Sequence, residues 1–595
     1  MIIDKVLYID LSRKSFHVES RSELFEKYLG GTGVAIKLLL EECPVKADPL
    51  GPENPIIFAV GPLNGLFPMA SKTVVMFKSP LTGNLGESHA GGRTASAIRL
   101  VGYGAIIIRG SSETPVYLAI HGEKVYFRDA SGLWGVENSY TVGRVLRELE
   151  KGAGFRTIMR IGSAGEKMVY YANVVVETYR HFGRLGLGAV FGSKKLKAIV
   201  ISGKNSIRVK DANHYRQVYD EIFHLAIKSS LMKKYHDIGT SSNILPLNEL
   251  RALPSLNLRE TSLKDAENIS GENLAEKYLG RRVACSHCPV ACIHLATLRE
   301  PYEDEPYFYK TTMIPYDYEP LYALGSMLGI TDPNGFLRLM DEVEAQGLDA
   351  ISTGVTLAWA TEAYENGIIK DSDTLGIKLR WGDYNSYREA VRKIVYQPNE
   401  FYAALAKGVE YAASKYGGLD FALSFGGNEM PGYHTGIAAY LTFLTGSRHS
   451  HLDSAGYIID EKSAATGKKE TLQEIVENLF KEESWRQVLS SLVLCFFARG
   501  IYTPKIVVKS LNAAGFEHVT EEDLRKIGVE ILRNKYLFKT REGFDPNGLR
   551  IPRRILEKET PLGVLSEDLI RRGVEEFFNL IKDNKGLKDD FRIFS

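Results

Sequence analysis

With 595 residues, 44% hydrophobic and 25% charged, the chain is too long for a single core and has the composition of a globular protein of about three domains. Its 74 basic residues face 73 acidic ones, and the resulting net charge of +1 excludes a global pull toward nucleic acid or an anionic membrane. No apolar run approaches the ~20 residues that span a bilayer. The alternating start, "MIIDKVLYIDLSRKSFHVES", reads as a strand pair rather than a signal peptide, so a cytoplasmic protein is expected. Five cysteines, three of them clustered, are too few for a disulfide framework. Scarce glutamine with abundant Lys, Glu and Tyr is compatible with a hot-growing source.

From the N-terminus to about residue 205 the segments "KVLYIDL", "PIIFAVG", "KTVVMFKS", "GAIIIRG", "PVYLAIHGEKVYFRDA" and "KAIVISG" are short, β-branched or aromatic, and bounded by Gly, Pro or Asn. Glycine gathers between them, in "GPLNGLFP", "GNLGESHAGGRTASA" and "RHFGRLGLGAVFGS". The arrangement predicts sheets whose loops converge on one bound object. After "SGKNSIRVKDANHY" the texture becomes helical: "ANHYRQVYDEIFHLAIKSSLMKKY", "NGFLRLMDEVEAQGL", "GVTLAWATEAYENGII" and "NEFYAALAKGVEYAASKYG" carry apolar residues at helical spacing. A last block includes "TLQEIVENLFKEESWRQVLSSLVLCFFARG" and "SEDLIRRGVEEFFNLIKDN". The expected class is α+β: a sheet-rich base over 1–208, a helical domain with the cysteine cluster over 209–420, and a second helical domain over 421–595. No internal repeat is visible.

The stretch "ACSHCPVACIH" places Cys285, Cys288 and Cys292 in a C-x2-C-x3-C pattern. Zinc would use two separated pairs, with His287 or His294 completing a tetrahedron. An iron–sulfur cluster takes four thiolates, commonly three close together and one remote, which suits this spacing better. The order also differs from the C-x3-C-x2-C loop of radical enzymes that use S-adenosylmethionine. Reduced structural thiols are the bland alternative. The fourth ligand is Cys43, between a helix and a Pro-rich loop, or Cys495, in an apolar helical run where an ordinary core thiol is also expected. Spacing does not choose between them.

Taken together, "GPLNGLFPMASKTVVMFKSPLTGNLGESHAGG", "RHFGRLGLGAVFGSKKLKAI", "QGLDAISTGVTLAWATEAYENG" and "CSHCPVAC" followed far downstream by "LVLC" resemble, in order, the aldehyde:ferredoxin oxidoreductase family of tungsten or molybdenum bis-pterin enzymes, nearer its small-aldehyde branch. The resemblance implies a β domain bearing a tungsten bis-pterin, capped by two helical domains. It implies a 4Fe-4S cluster on Cys285, Cys288, Cys292 and Cys495, and magnesium bridging the pterin phosphates.

The same resemblance distributes roles. Gly91, Gly183 and the backbone at His89 and His181 line the cofactor or its magnesium, because glycine loops let backbone groups approach closely. Arg180 and Arg184 match family arginines, whose fork suits phosphate. Lys72 replaces an arginine between cluster and pterin. Two D-x-x-G-L-[CD] motifs hold the pterins in classical members. The first reads "EAQGLD" here, with Glu344 for Asp and with Leu348 and Asp349 kept. The second reads "SSLVLC", with Ser490 for Asp, Val493 for Gly, and Leu494 and Cys495 kept. Phe496 is assigned to the same pocket. Glu319, in "YDYEPLYALGS", matches the active-site glutamate that moves protons. In "RHSHLD" the best registration gives His451 as the active-site histidine, with His449 if the loop is shifted, and Tyr433 matches a tyrosine beside the substrate.

The expected reaction oxidises a small aldehyde to a carboxylic acid with oxygen from water. Electrons pass through the cluster to ferredoxin or a dedicated ferredoxin-like iron–sulfur subunit. Between His294 and His434 there is no histidine, so the metal that some members hold at a homodimer interface is expected to be missing, and the oligomeric state is left open. The alternatives are a carboxylate- or thioester-reducing member of the family, a paralogue that keeps the fold without the cofactor, and a zinc-stabilised binding protein without catalysis.

Overall fold

The computed structural model describes residues 3–152, 154–302, 304–305 and 307–582, so residues 1–2 of the expected strand pair and 583–595 of the last block lie outside the described residues. Strands dominate up to Gly203 and helices thereafter. The first six strands are β1 (Lys5–Asp10), β2 (Ser15–Ser20), β3 (Ile56–Ala59), β4 (Thr73–Lys78), β5 (Leu85–Ala90) and β6 (Ala105–Arg109). They form one sheet in the order β2-β1-β6-β3-β4-β5. The next six are β7 (Val116–His121), β8 (Lys124–Asp129), β9 (Phe155–Arg160), β10 (Val174–Val176), β11 (Arg180–Phe182) and β12 (Leu196–Gly203). Read from the matching edge, their order is β8-β7-β12-β9-β10-β11.

The two sheets have one topology. In each, the first strand pairs with the second antiparallel and with the sixth parallel, and the third, fourth and fifth follow as an antiparallel meander. The base is thus a structural duplication, which corrects the expectation of no internal repeat. The sequence hides it because what is repeated is strand order, while the residues differ.

Period-two alternation decides which side chains go where. Leu7, Ile9 and Phe58 of the first sheet and Ile199 and Ile201 of the second share a core with the helices Thr94–Val101 and Leu187–Ser193. The alternate residues of the first sheet, such as Val6, Ile57 and Ile107, bury against the helix Gly31–Glu42 and against Ile531 and Phe538. Each such side chain contributes about 1.5–3 kcal/mol relative to exposure. The sheets are therefore sandwiched on both faces, which explains their near-continuous apolar runs.

The later part is mostly helical, with local departures from expectation. The stretch read as one helix from residue 212 breaks at Ser229 into Ala212–Lys228 and Ser230–Asp237, and that from 399 breaks at Gly408. A three-stranded antiparallel sheet, β13 (Leu279–Val283), β14 (Ile293–Pro301) and β15 (Tyr309–Tyr316), lies between the helices. The cysteine cluster is the loop joining β13 to β14. Among the described residues no helix is long and apolar enough to cross a membrane.

Candidate functional site

Two helices end on the sheet domain in the same way. The helix Pro333–Gln346 stops at Gly347, whose φ is +78°, and Leu348 N–H donates back to Val343 at 3.1 Å. The helix Leu472–Ser491 ends likewise: Val493 has φ +54°, its N–H donates to Ser490 (3.2 Å), and Leu494 N–H donates to Leu489 (2.9 Å). Each turn then joins the base by a pair of backbone bonds. Asp349 N–H donates to Tyr171 (3.0 Å) and Asn173 N–H to Gly347 (2.8 Å); Cys495 N–H donates to Met69 (3.0 Å) and Lys72 N–H to Val493 (3.0 Å). Cys495 therefore sits past the helix in extended backbone, not within the helical run expected for it.

The cysteine loop is folded by two residues in the left-handed region, His287 and Ala291, and is gripped from several sides. His287 O accepts from Met69 N–H (3.1 Å), Ser286 N–H donates to Gly92 O (2.9 Å), and His236 bonds Val290 O (2.8 Å). Burial first, and then the charge of Cys495, push the Cys288 and Cys292 thiols up to about 12, with Cys285 also contributing. The four thiols therefore share one neighbourhood, where the positive charges of Lys72 and Arg180 oppose the shift at Cys292. Burial works against the Arg180 charge, but the thiols and Asp317 outweigh it and keep the guanidinium protonated. At Gly91 a Cβ would lie 2.6 Å from Cys285 Sγ, so only glycine lets the thiol come this close to the loop.

Cys43 lies elsewhere. Burial and the Glu542 charge raise its thiol to about 11, and its other charged neighbours are Arg541, Lys78 and Lys194. His294, a candidate zinc ligand by sequence, has both ring nitrogens against backbone carbonyls, Cys292 O at 3.1 Å and His236 O at 3.0 Å. Among the described residues no three His, Cys, Asp or Glu side chains converge on a single-ion site.

Beside the first turn, His181 Nε2 lies 2.6 Å from Glu344 Oε2, at an angle that makes no hydrogen bond, so both atoms stay buried without a hydrogen-bond partner. Arg184 Nε donates to Asp349 Oδ2 (3.0 Å) and its Nη2 to Glu429 O (2.8 Å), while Nη1 is orphaned; so is Asn173 Oδ1. Asp349 also accepts from Ile351 N–H and Ser352, capping the following helix. A Cβ at Gly183 would meet nothing within 4 Å. Orphaned buried donors and acceptors around open space, next to a basic thiol set, fit a large, anionic, hydrogen-bond-rich group. Beside the second turn, His89 Nε2 pairs with Glu87 Oε1 at 2.7 Å, and Phe496 lies 6.3 Å from the His89 ring. Ser490 and Leu494 are buried within that turn.

The proton-handling groups gather nearby. Glu319 Oε1 lies 3.1 Å from His451 Nε2, keeps 22% of its side chain accessible, and has Tyr433 as a neighbour that favours its charged form. Burial raises the Glu319 carboxyl, but the His451 contact, a backbone N–H and Tyr433 outweigh it and hold it below its ordinary value. His451 Nδ1 is buried without a partner. Tyr433 stacks on Tyr457 with ring centroids 4.0 Å apart, and its phenol is raised well above normal by burial, so it remains a donor. His449, the alternative to His451, points away: its Nε2 meets Lys539 Nζ at 2.8 Å and its Nδ1 meets Phe443 O at 2.9 Å.

Asp317 was missed by sequence reasoning. Burial first and the Glu319 charge second push it up to about 7, against Arg180 and Lys72, so it links the thiol set to Glu319. Glu87, Tyr457 and Lys535 were missed too; the one available signal was an acid two residues before an expected site residue, in "YDYEP" and "GESHAGG".

The chain matches the families described as aldehyde ferredoxin oxidoreductase, N-terminal domain, over residues 6–203, and aldehyde ferredoxin oxidoreductase, domains 2 and 3, over residues 217–582. It is 33% identical to the tungsten-containing aldehyde ferredoxin oxidoreductase of Thermococcus kodakarensis, covering 99% of this chain and 97% of that one. It is 29% identical to the WOR-like subunit of an aliphatic sulfonate oxidoreductase from Pyrococcus furiosus, covering 89% and 84%. In fold it resembles the active-site complex BamBC of benzoyl coenzyme A reductase, with a TM-score of 0.82 at 23% identity over 98% of this chain and 94% of that one.

Proposed function

We infer from one premise, that this chain belongs to the aldehyde ferredoxin oxidoreductase family, that it oxidises a small aldehyde to a carboxylic acid at a tungsten bis-pterin. The observation that carries the reading is the grouping of Glu319, His451 and Tyr433 beside Asp317, which is itself charge-coupled to the Arg180 and Lys72 that face the four thiols.

His181, Glu344 and Arg184 would hold one half of the cofactor and His89 and Lys72 the other, and the glycine loops would hold its magnesium. When bound, the tungsten bis-pterin supplies a two-electron acceptor beside the carbonyl carbon. Aldehyde and water together give carboxylic acid, two protons and two electrons. Glu319, ionised by its hydrogen bonds, takes a proton from water adding to the carbonyl carbon, a role worth ~10²–10⁴ in rate. His451, with Nε2 3.1 Å from Glu319 Oε1, stands beside the carboxylate and favours its charged form. Tyr433 donates to the carbonyl oxygen or to Glu319 as charge develops, and the stacked Tyr433 and Tyr457 rings exclude bulk water. Asp317, its carboxyl pushed up by burial and by the Glu319 charge, receives the next proton. Cys285, Cys288, Cys292 and Cys495 would hold a 4Fe-4S cluster, which would supply one-electron transfer toward ferredoxin or a ferredoxin-like subunit.

Protein purified without oxygen should hold about one tungsten and about four iron per chain and should reduce ferredoxin with an aldehyde from a graded panel. Glu319→Gln should lower kcat ~10²–10⁴-fold with metal content unchanged. Zinc in place of both metals would overturn the redox reading, and an unimpaired Glu319→Gln enzyme would overturn the assignment of that residue.

A further inference from the structure

The duplication of the base makes its two histidines comparable. His181 lies on β11 opposite Val175 of β10, and His89 lies on β5 opposite Val74 of β4, the corresponding strands of the two sheets. Each precedes by two residues a glycine, Gly183 or Gly91, on the loop leading toward the following helix. His181 lies against Glu344 of the first helix-ending turn, and the His89 ring lies 6.3 Å from that of Phe496, the residue that follows the second. Each also has one carboxylate against its Nε2: Glu344 Oε2 at 2.6 Å for His181, and Glu87 Oε1 at 2.7 Å for His89.

The carboxylates come from different places. Glu344 stands three residues before the turn residue Gly347. The matching position before Val493 is Ser490, which has no acid, and there the acid comes from the histidine's own strand. Glu87 is held with more care than a surface strand would require. Its side chain is fully buried, Thr32 Oγ1 donates to it at 2.5 Å, and Lys535 Nζ, on the helix Glu521–Arg541, lies 2.5 Å from Oε2. Burial alone would neutralise such a carboxyl; Lys535, His89 and the more distant Arg448 keep it well below its ordinary range. A buried ion pair is a costly way to join two elements compared with apolar packing, so its presence beside the cofactor loop asks for a role.

We propose that Glu87, acting through His89, is the positioning carboxylate for the second half of the pterin cofactor, replacing the acid that Ser490 lacks. The proposal rests on the cofactor reading above. Glu87 sets the tautomer and ring angle of His89 in the way a carboxylate orients a ligating histidine elsewhere, and Lys535 keeps that carboxylate charged inside the protein.

The test measures pterin, tungsten and iron per chain in anaerobically purified wild type and two variants. In Glu87→Gln/Lys535→Met both charges of the pair are removed, so no buried charge is left alone to unfold the protein. Pterin and tungsten should fall roughly ten-fold or more while iron stays at the wild-type level. In Glu87→Gln/Lys535→Met/Ser490→Glu the acid returns, on the same background, at the position that Glu344 occupies in the other half, and pterin content should recover. A purely structural Glu87 would not be rescued from residue 490. Full pterin in the first variant, or no recovery in a folded, iron-replete second variant, would overturn this proposal alone. Wild-type protein lacking pterin and tungsten would overturn the cofactor reading, and this proposal with it.

Discussion

The turn Glu344–Asp349 and the turn Ser490–Cys495 have the same backbone and different chemistry. Both end a helix with a left-handed residue, both bond back five residues, and both add a pair of backbone bonds to a loop of the base. In one, the last residue is Asp349, which caps a helix and holds Arg184; in the other it is Cys495, which faces three more thiols. The fold repeats one backbone turn, and the side chains set on it differ: a carboxylate that caps a helix in one, a thiol among thiols in the other.

The largest effect should come from exchanging those last residues. Cys495→Ser should strip the iron and its visible absorbance, whereas Asp349→Asn should keep the iron and lose tungsten roughly ten-fold or more. If both variants lost both metals, the division of labour between the turns would be wrong. A smaller asymmetry should appear in stability. Gly347→Ala places a Cβ 3.0 Å from Gly162 N in a left-handed conformation, and should cost ~2 kcal/mol in a denaturation experiment. Val493→Gly should change stability by only about 1 kcal/mol. It relieves ~1–2 kcal/mol of left-handed strain but removes a fully buried valine worth ~1.5–3 kcal/mol. The smallest effect is on pH dependence. Asp317, raised to about 7, feels the Glu344 charge among others. Removing a negative neighbour eases its ionisation, so Glu344→Gln should move the corresponding limb of the pH–rate profile a few tenths of a unit toward acid. Ser490→Ala should leave the limb in place, and Asp317→Asn should abolish it.

The strands of the base were legible because β-branched runs between glycines have few other ways to fold; "GAIIIRG" and "KAIVISG" are both central strands. The duplication was not, since β10 and β11 have only three residues each and share no wording with β4 and β5. Cys495 read as helical because the break before it is made by Val493, a residue that rarely adopts a positive φ and gives no sign of doing so in sequence. The cysteine spacing announced a cluster, and its fourth member came from the family resemblance alone. Asp317 and Glu87 stayed invisible because their partners lie on remote elements: Arg180 and Lys72 in one case, Lys535 in the other.

The clamp also dictates an order of assembly. Met69 waits for Cys495, and Tyr171 for Asp349, so the bonds that close the two halves join residues 426 and 178 positions apart. Contacts of such long range form late, and N-terminal units fold first during synthesis. The two sheets can thus stand complete, their glycine loops open, while the second turn has yet to be made. On the proposed cofactor reading, that interval is the window in which a bulky group would be laid on the base before the helices close over it. Pulsed proteolysis of the emerging chain should find residues 5–203 protected before the turn at 490–495, and a cofactor offered only after that protection is complete should no longer enter.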